Sequence, residues 1–253
     1  MKNVLITGCS SGYGLATARY FLERGDRVVA TMRRPREDLF PRSERLRVVA
    51  LDVTNDASIA SALEASGPID VLVNNAGIGA FGAFEAMTPV VLREIFETNT
   101  FGVMAMTKAV IPQLRARRSG VIVNVTSSAT LAPMPLVAVY TASKMAIEGF
   151  TASLAFELEA LGVRAKLVEP GYCPSTAFTR NTGSRLEGNI PDAYAPFAQA
   201  VLAGFGAASV VTTELDVAEA VYRAAHDASP QLRYPAGPDA VALARASSLH
   251  VDA

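Results

Sequence analysis

A glycine-rich turn between a short apolar run and an amphipathic segment is the strongest indication of the fold in this sequence. The run Val4–Thr7 leads into the turn Thr7–Gly14, and a helical pattern then continues to about Arg24, where Gly25 ends it. Glycines allow the backbone to turn tightly from a strand into a helix, and a glycine is also a usual stop for a helix. The turn therefore favours an α/β fold.

Apolar, β-branched runs alternate with helical-period segments along the chain after this turn. The runs are continuous rather than alternating, which is typical of parallel strands that are covered on both faces. Further strands are predicted at Arg27–Met32, Arg47–Leu51, Ile69–Asn74, Gly120–Thr126 and Val163–Glu169. The predicted fold class is α/β, a Rossmann-like doubly wound parallel sheet with helices on both faces and a ligand at the carboxyl ends of the strands.

The organisation of the chain favours one domain over residues 1–253. Half of its 253 residues are apolar, which is ample for a core, and no repeat, low-complexity tract or linker divides it. From about Pro174 to Val211, glycine, proline, asparagine and serine interrupt the apolar pieces. Such a segment after a strand end is a candidate substrate loop. A helix at Glu214–Asp227 and a short strand at Leu232–Tyr234 are predicted to follow it.

Charge and composition exclude several classes of function. The chain has 23 basic and 24 acidic side chains and no long basic run, so nucleic acid is not an expected partner. Its cysteines, Cys9 and Cys173, lie far apart, and its histidines, His226 and His250, both lie near the end of the chain. We therefore expect no metal site of the Cys/His type.

The start of the chain and its apolar stretches bear on localisation. The opening letters MKNVLITG lack the apolar centre of a signal peptide, and no stretch reaches the roughly 20 apolar residues of a membrane span. The expectation is a cytoplasmic protein that does not bind a membrane.

The glycine turn also suits a phosphate group. Its glycines let the backbone approach a pyrophosphate, and the following helix offers amides and the positive end of its dipole. The spacing is G-x-x-x-G-x-G rather than the Rossmann G-x-G-x-x-G, and a plain strand-to-helix turn is the alternative. The candidate cofactor-binding residues here are Gly8, Ser10, Ser11, Gly12, Tyr13 and Gly14.

The residues after the second strand distinguish between two nicotinamide cofactors. A cofactor without a 2′-phosphate usually has an Asp or Glu about 20 residues past the glycines, but the chain offers Arg33 and Arg34 instead. Guanidinium groups bind phosphate and a carboxylate repels it, so we predict NADP(H) rather than NAD(H), with Arg33 the stronger candidate. Two solvated surface arginines are the alternative. Asp52 is a candidate acceptor for the adenine amino group or else a cap, and Val53 beside it is a further candidate contact.

A tyrosine and a lysine open a further predicted helix. Tyr140 and Lys144 are four residues apart, which places both on one helix face. A phenol that titrates near 10 is a poor acid or base at neutral pH, and a nearby ammonium lowers its pKa. The pair is therefore suited to proton transfer at a carbonyl or an alcohol, although this spacing taken alone is common by chance.

These motifs together resemble the short-chain dehydrogenase/reductase (SDR) family. They occur in the order of that family and span roughly residues 3 to 176. The matching positions are the turn Thr7–Gly14, Asn74-Asn75-Ala76-Gly77, Asn99, Ser127, the pair Tyr140 and Lys144, and Pro170-Gly171.

The resemblance implies an NADP-dependent oxidoreductase that interconverts a carbonyl and a secondary alcohol. Tyr140 would exchange the proton, Ser127 would orient the substrate oxygen, and Lys144 would lower the tyrosine pKa and bind the nicotinamide ribose. Asn99 would hold a water that links Lys144 to solvent. Ser128 is the fallback for Ser127.

The resemblance also assigns residues around the cofactor. Asn75, Ala76 and Gly77 would line it, as would Pro170 and Gly171. Either Ser175 or Thr176 would contact the cofactor amide or diphosphate, and Cys173 would pack against the nicotinamide.

The substrate and the assembly are expectations as well. An apolar wall is predicted from Leu131, Pro133, Met134, Leu136, Phe178, Leu186, Tyr194 and Phe197, which suits a small hydrophobic carbonyl or alcohol. The family resemblance implies a homodimer or homotetramer through the helix that carries Phe101–Met106 and the helix that begins near Tyr140. A nucleotide sensor or scaffold without chemistry, and an epimerase or dehydratase, remain alternatives.

Overall fold

The computed structural model describes residues 1–176 and 189–248, which form one parallel sheet flanked by helices. The strands are β1 (Asn3–Ile6), β2 (Arg27–Met32), β3 (Leu46–Ala50), β4 (Val71–Asn74), β5 (Gly120–Val125), β6 (Val163–Pro170) and β7 (Arg233–Ala236). The helices are α1 (Gly12–Glu23), α2 (Asp56–Ser66), α3 (Pro89–Phe96), α4 (Gly102–Arg117), α5 (Ala138–Glu159), α6 (Ala195–Gly206), α7 (Glu214–His226) and α8 (Pro238–Ser248).

The strand order explains where a ligand can bind. The order is β3-β2-β1-β4-β5-β6-β7 and every pair is parallel; Val4 of β1, for example, pairs with Val28 of β2 and Val71 of β4. The chain runs outward from β1 to β3 and then crosses to β4 on the other side of β1. At such a switch of direction, a crevice opens beyond the carboxyl ends of the strands. The predicted fold class is confirmed.

Two apolar layers hold the helices against the sheet. Successive strand residues point to opposite faces, so Val4 and Ile6 pack into the layer that contains Phe21 of α1, whereas Leu5 packs into the layer that contains Met106 of α4. All five side chains are fully buried. The continuous apolar runs of the sequence are therefore strands covered on both faces.

Polar caps set where several helices begin. The side chain of Asn55 accepts a hydrogen bond from the backbone N–H of Ser58 at the start of α2. Thr213 and Asp216 form a reciprocal capping box at the start of α7. These side chains satisfy amide groups that the helices themselves leave without partners.

The described part of the predicted substrate loop after residue 188 is more regular than the sequence predicts, because it contains α6. The sequence signal is weak for two reasons: α6 contains Gly204 and Gly206, and Ala198 is its one buried residue, so no apolar stripe repeats along it. The last strand is also longer than predicted and includes Pro235. A proline fits there because β7 lies at the sheet edge and pairs with β6 alone.

Within residues 1–176 and 189–248, no helix is both long and apolar enough to cross a bilayer. The same residues contain no cluster of three or more His, Cys, Asp or Glu side chains placed to bind a metal ion.

Candidate active site

A cavity of about 1080 Å³ runs along the carboxyl ends of strands β1 to β6. The six candidate cofactor-binding residues of the glycine turn line it, as do Ser127, Tyr140 and Lys144. The fold thus brings motifs that are more than a hundred residues apart in the sequence to the walls of one cavity.

The glycine turn leaves its backbone open to the cavity. Gly8 has a φ of +76°, and a Cβ there would lie 2.8 Å from the Cα of Ala76. A Cβ on Gly14 would overlap the carbonyl oxygen of Gly8. Gly8 therefore requires glycine because the turn packs against the backbone of the loop after β4, and Gly14 requires it because the turn closes on itself.

Thr7 and Asn75 join these two loops. The hydroxyl oxygen of Thr7 accepts hydrogen bonds from the backbone N–H of Asn75 (3.0 Å) and of Ala76 (2.9 Å). The side-chain amide of Asn75 donates to the carbonyl oxygens of Thr7 (2.9 Å) and Gly8 (3.3 Å). Asn75, Ala76 and Gly77 line the cavity, and the amide group of Asn75 holds the glycine turn in place.

One end of the cavity lies beside β2 and β3, and Arg33, Asp52 and Val53 line it there. Arg34 does not line the cavity. Thr54 donates two hydrogen bonds to Asp52, and these, with a smaller effect of the Arg33 charge, hold the pKa of the Asp52 carboxyl below its usual value. Asp52 is therefore an ionised acceptor that also acts as a local cap.

Tyr140 lies at the opposite end of the cavity, in the first turn of α5. It is buried, and its phenol forms a hydrogen bond with Ser127, which follows β5. We expected Lys144 to lower the pKa of Tyr140, but burial raises it to about 12, and only the Ser127 hydrogen bond acts in the opposite direction. Ser128 also lines the cavity, but the bond to Tyr140 is made by Ser127.

Lys144 lies one helical turn beyond Tyr140 and is also buried. Its ammonium donates to the carbonyl oxygen of Val125 (2.9 Å). Burial lowers the pKa of Lys144 to about 8, and the nearby charge of Glu148 partly opposes that shift. The lysine is therefore a cation held in an apolar environment, where small changes in nearby charge have large effects.

Asn99 lies behind this pair rather than on the cavity wall, in a π-helical turn (Glu97–Phe101) between α3 and α4. Its side chain bonds both backbone groups of Ile78 (2.8 Å each) and the hydroxyl of Ser143 (3.0 Å). A Cβ on Gly77 would lie 3.3 Å from the Asn99 oxygen and 3.5 Å from the Lys144 nitrogen. The amide of Asn99 thus fixes the backbone beside the lysine.

The loop after β6 forms another part of the wall, where Pro170, Gly171, Cys173 and Thr176 face the cavity. Burial raises the pKa of the Cys173 thiol, which agrees with a packing role. Ser175 does not line the cavity, because its hydroxyl donates to Glu214 at the start of α7 (2.9 Å). Of the two predicted hydroxyls, Thr176 alone is placed at the cavity.

Asp239, at the start of α8, holds this loop and had no signal in the sequence. Its carboxylate accepts a hydrogen bond from the backbone N–H of Tyr172 (2.6 Å) and another from the hydroxyl of Thr212. The fold brings these groups together from distant parts of the chain, so no local spacing could have identified them.

The apolar wall differs from the prediction. Met134 lines the cavity, whereas Leu131, Pro133, Leu136, Tyr194 and Phe197 do not, and Phe178 and Leu186 lie outside the described residues. Tyr172 and two residues of the unpredicted helix α6, Leu202 and Phe205, line the cavity instead. The rings of Tyr172 and Phe205 pack with their centroids 5.3 Å apart. Other apolar lining residues include Phe81, Val90 and Val137.

A sequence profile described as short chain dehydrogenase matches residues 2–187. The chain belongs to this family. The cavity therefore lies in an oxidoreductase of the nucleotide-binding, Rossmann-like type, as the order of the motifs predicts.

Similar sequences in this dehydrogenase family carry names for several activities. The chain is 40% identical over 194 residues to a 3-ketodihydrosphingosine reductase of Bacteroides thetaiotaomicron, a match that covers 75% of this chain and 70% of that one. It is also 40% identical over 186 residues to retinol dehydrogenase 8 of Bos taurus, which covers 67% of this chain and 58% of the relative.

Solved structures of the family agree with the fold. A short-chain dehydrogenase of Streptomyces avermitilis superposes with a TM-score of 0.81 at 32% identity, over 100% of this chain and 95% of that one. A Burkholderia cenocepacia short chain dehydrogenase in complex with NADP has a TM-score of 0.76 at 26% identity, over 98% and 95% of the two chains. A 3-ketoacyl-(acyl-carrier-protein) reductase of Brucella melitensis complexed with NADH also has a TM-score of 0.76, at 25% identity, over 92% and 96%.

Proposed function

We propose that this short-chain dehydrogenase is an NADP(H)-dependent oxidoreductase that interconverts a carbonyl and a secondary alcohol. The observation that carries the proposal is the buried hydrogen bond between Ser127 and Tyr140, with Lys144 one turn away, on the wall of the cavity that also contains the glycine turn. A proton donor, an oxygen-binding hydroxyl and a cation at one point suit chemistry at a C=O or CH–OH group.

The cavity fits a nicotinamide dinucleotide. Side chains at Gly8 and Gly14 would overlap neighbouring backbone atoms, so the turn offers bare backbone at the start of α1, where a helix favours a pyrophosphate. Arg33, Asp52 and Val53 would hold the adenosine end, and Lys144, Cys173 and Thr176 would hold the nicotinamide end. When bound, this cofactor supplies or accepts the hydride.

The preference for NADP(H) rests on Arg33. It lies on the cavity wall after β2 and is exposed, so its guanidinium is available to a 2′-phosphate. Solved relatives bind NADP in one case and NADH in another, so the family alone does not decide between them.

Tyr140 acts as the acid in the direction of reduction. With a pKa of about 12 its phenol is protonated at neutral pH, and its proton can pass to the substrate oxygen as that oxygen gains negative charge. Ser127 would bind the same oxygen and orient it, as its existing hydrogen bond to Tyr140 suggests. The Lys144 ammonium would stabilise the phenolate that remains.

The substrate we propose is a small hydrophobic carbonyl or alcohol. Tyr172, Leu202 and Phe205 form an apolar wall beside the catalytic group, and this wall supports an uncharged substrate body. The names of the relatives, a ketosphingosine reductase and a retinol dehydrogenase, agree with that class.

The test is the variant Tyr140→Phe with a panel of hydrophobic ketones. We expect consumption of NADPH to fall at least about a hundredfold while NADPH still binds, as followed by its fluorescence. Tyr194→Phe, outside the cavity, is the matched control. Full activity in Tyr140→Phe would refute the proposed acid. In the wild-type protein, product formation without net oxidation of NADPH would indicate an epimerase or dehydratase.

We also propose that the chain forms a homodimer or homotetramer through α4 and α5. Phe101, just before α4, and Met145 and Phe156, on α5, are 54%, 49% and 78% exposed, and their apolar surface supports an interface. Sedimentation analysis of the purified chain and of Phe156→Ser measures the assembly directly. A monomer at micromolar concentration would refute the proposal.

A further inference from the structure

A buried carboxylate, Glu148, lies one helical turn beyond Lys144 on α5 and belongs to none of the sequence motifs described above. It is 5% exposed and therefore far from water that could solvate its charge. Its oxygens are engaged on two sides, by the loop that carries Ser127 and by a cation from β7. A buried charge of this kind is costly unless its partners are well placed, so its surroundings are informative.

The first set of contacts encloses Ser127. The hydroxyl of Thr126 donates to Glu148 Oε1 at 2.6 Å. The hydroxyl of Thr130 lies 3.2 Å from the same oxygen and donates to the carbonyl oxygen of Ser127 at 2.6 Å. The residue before Ser127 is therefore tied by a hydrogen bond to one carboxylate on the helix that carries Tyr140 and Lys144, and the turn after Ser127 lies against the same carboxylate.

The second set of contacts anchors Glu148 itself. A guanidinium nitrogen of Arg233, on β7, lies 2.7 Å from Glu148 Oε2 and also contacts Glu169 on β6. Glu169 is completely buried. Two carboxylates thus share one cation, and burial, together with the repulsion from Glu148, raises the pKa of Glu169 to about 7.

We propose that Glu148 is a positioning residue of the active site: its carboxylate fixes the Ser127 loop against α5 and supports the Lys144 ammonium one helical turn away, while Arg233 holds it in place. The inference rests on the proposed function of Ser127 and Lys144. The charged groups that face Glu148 are Lys144 on its own helix, Glu169 on β6 and Arg233 on β7.

The two parts of this role predict different signatures. Glu148→Gln keeps an oxygen for Thr126 but removes the charge that supports the Lys144 ammonium. We expect the alkaline limb of the kcat profile to move down by about one pH unit. Thr126→Val keeps the Glu148 carboxylate but removes its hydrogen bond to residue 126. We therefore expect kcat to fall several-fold while the alkaline limb of the kcat profile stays at the wild-type pH. Glu157→Gln, on the exposed face of α5, is the matched control and should change neither.

A readout that does not need turnover separates this inference from the proposed function. The lysines of the chain are Lys2, Lys108, Lys144 and Lys166, so a ¹³Cε-lysine NMR spectrum is simple, and Lys144→Met identifies the resonance of interest. In Glu148→Gln the Lys144 resonance should titrate at lower pH than in the wild type, and in Thr126→Val and Glu157→Gln at the wild-type pH.

The outcomes are distinct. If Lys144 titrates alike in Glu148→Gln and the wild type, the charge role is refuted. If Thr126→Val retains full kcat, the loop role is refuted. If the wild-type protein reduces no carbonyl, the proposed function fails, and the NMR titration still decides whether Glu148 sets the charge of Lys144.

Discussion

At one end of the cavity, Tyr140 and Lys144 are buried and their pKa values lie near 12 and 8, whereas at the other end Arg33 is exposed and Asp52 is half-buried. Both ends carry charged side chains, but only at the buried end is there no water to screen a change in charge. Electrostatic effects there are several times larger than at an exposed site. A change of charge near Tyr140 and Lys144 is therefore expected to have a large effect, and a change of charge near Arg33 and Asp52 a small one.

The largest effect is expected for Lys144→Met, which removes the buried cation. The phenolate of Tyr140 would lose its support, and kcat should fall about 10²- to 10⁴-fold. Steady-state kinetics at several pH values measures this, with Lys108→Met on the exposed face of α4 as the control. An unchanged kcat in Lys144→Met would remove the basis of the comparison.

The glycine turn, between the two ends, gives a steric prediction. The methyl group of Gly14→Ala would overlap the carbonyl oxygen of Gly8, so we expect a loss of about 1–3 kcal/mol in stability, with weaker NADPH binding. Gly149→Ala on α5 meets nothing within 4 Å and is the control, with an expected gain of about 0.5–1 kcal/mol. Thermal unfolding and NADPH titration test both variants. Equal melting temperatures for Gly14→Ala and Gly149→Ala would contradict the steric overlap at Gly14.

The buried charges behind the catalytic end predict a pH dependence of stability. The pKa of Glu169 is about 7 in the folded protein and near 4.5 in an exposed chain, so the folded state binds the extra proton between these values. Stability is therefore lost as pH rises from 4.5 through 7. Glu169→Gln stays neutral and should be more stable than the wild type at pH 8, by about 1–2 kcal/mol, with no such gain near pH 4. A pH-independent difference in melting temperature would contradict this.

The smallest effect is expected at the adenosine end. Arg33→Ala should weaken NADPH binding about tenfold, or about 1.4 kcal/mol, and leave NADH binding nearly unchanged. Arg34 does not line the cavity, so Arg34→Ala is the matched control. The loss should shrink as salt is added because Arg33 is exposed. Equal affinities for the two cofactors in the wild type would refute the role of Arg33.

Sequence patterns were sufficient for the sheet and for the motifs on its strand ends. Continuous apolar runs and a glycine turn are local features, and parallel strands place their carboxyl ends at one edge, so distant motifs such as Gly8 and Tyr140 meet there. The patterns failed for α6, whose exposed apolar residues show no helical stripe, and for most of the predicted substrate wall.

The class of fold, the glycine turn and the spacing of Tyr140 and Lys144 follow from the sequence, because each depends on neighbours within a few positions. The burial and the pKa values of these residues follow from tertiary contacts. Burial raises the pKa of Tyr140, whereas its spacing to Lys144 predicts a decrease. Glu148 contacts Thr126 and Arg233, which lie far from it in the sequence. Burial and charge pairing depend on groups far apart in the chain, and the fold alone brings them together.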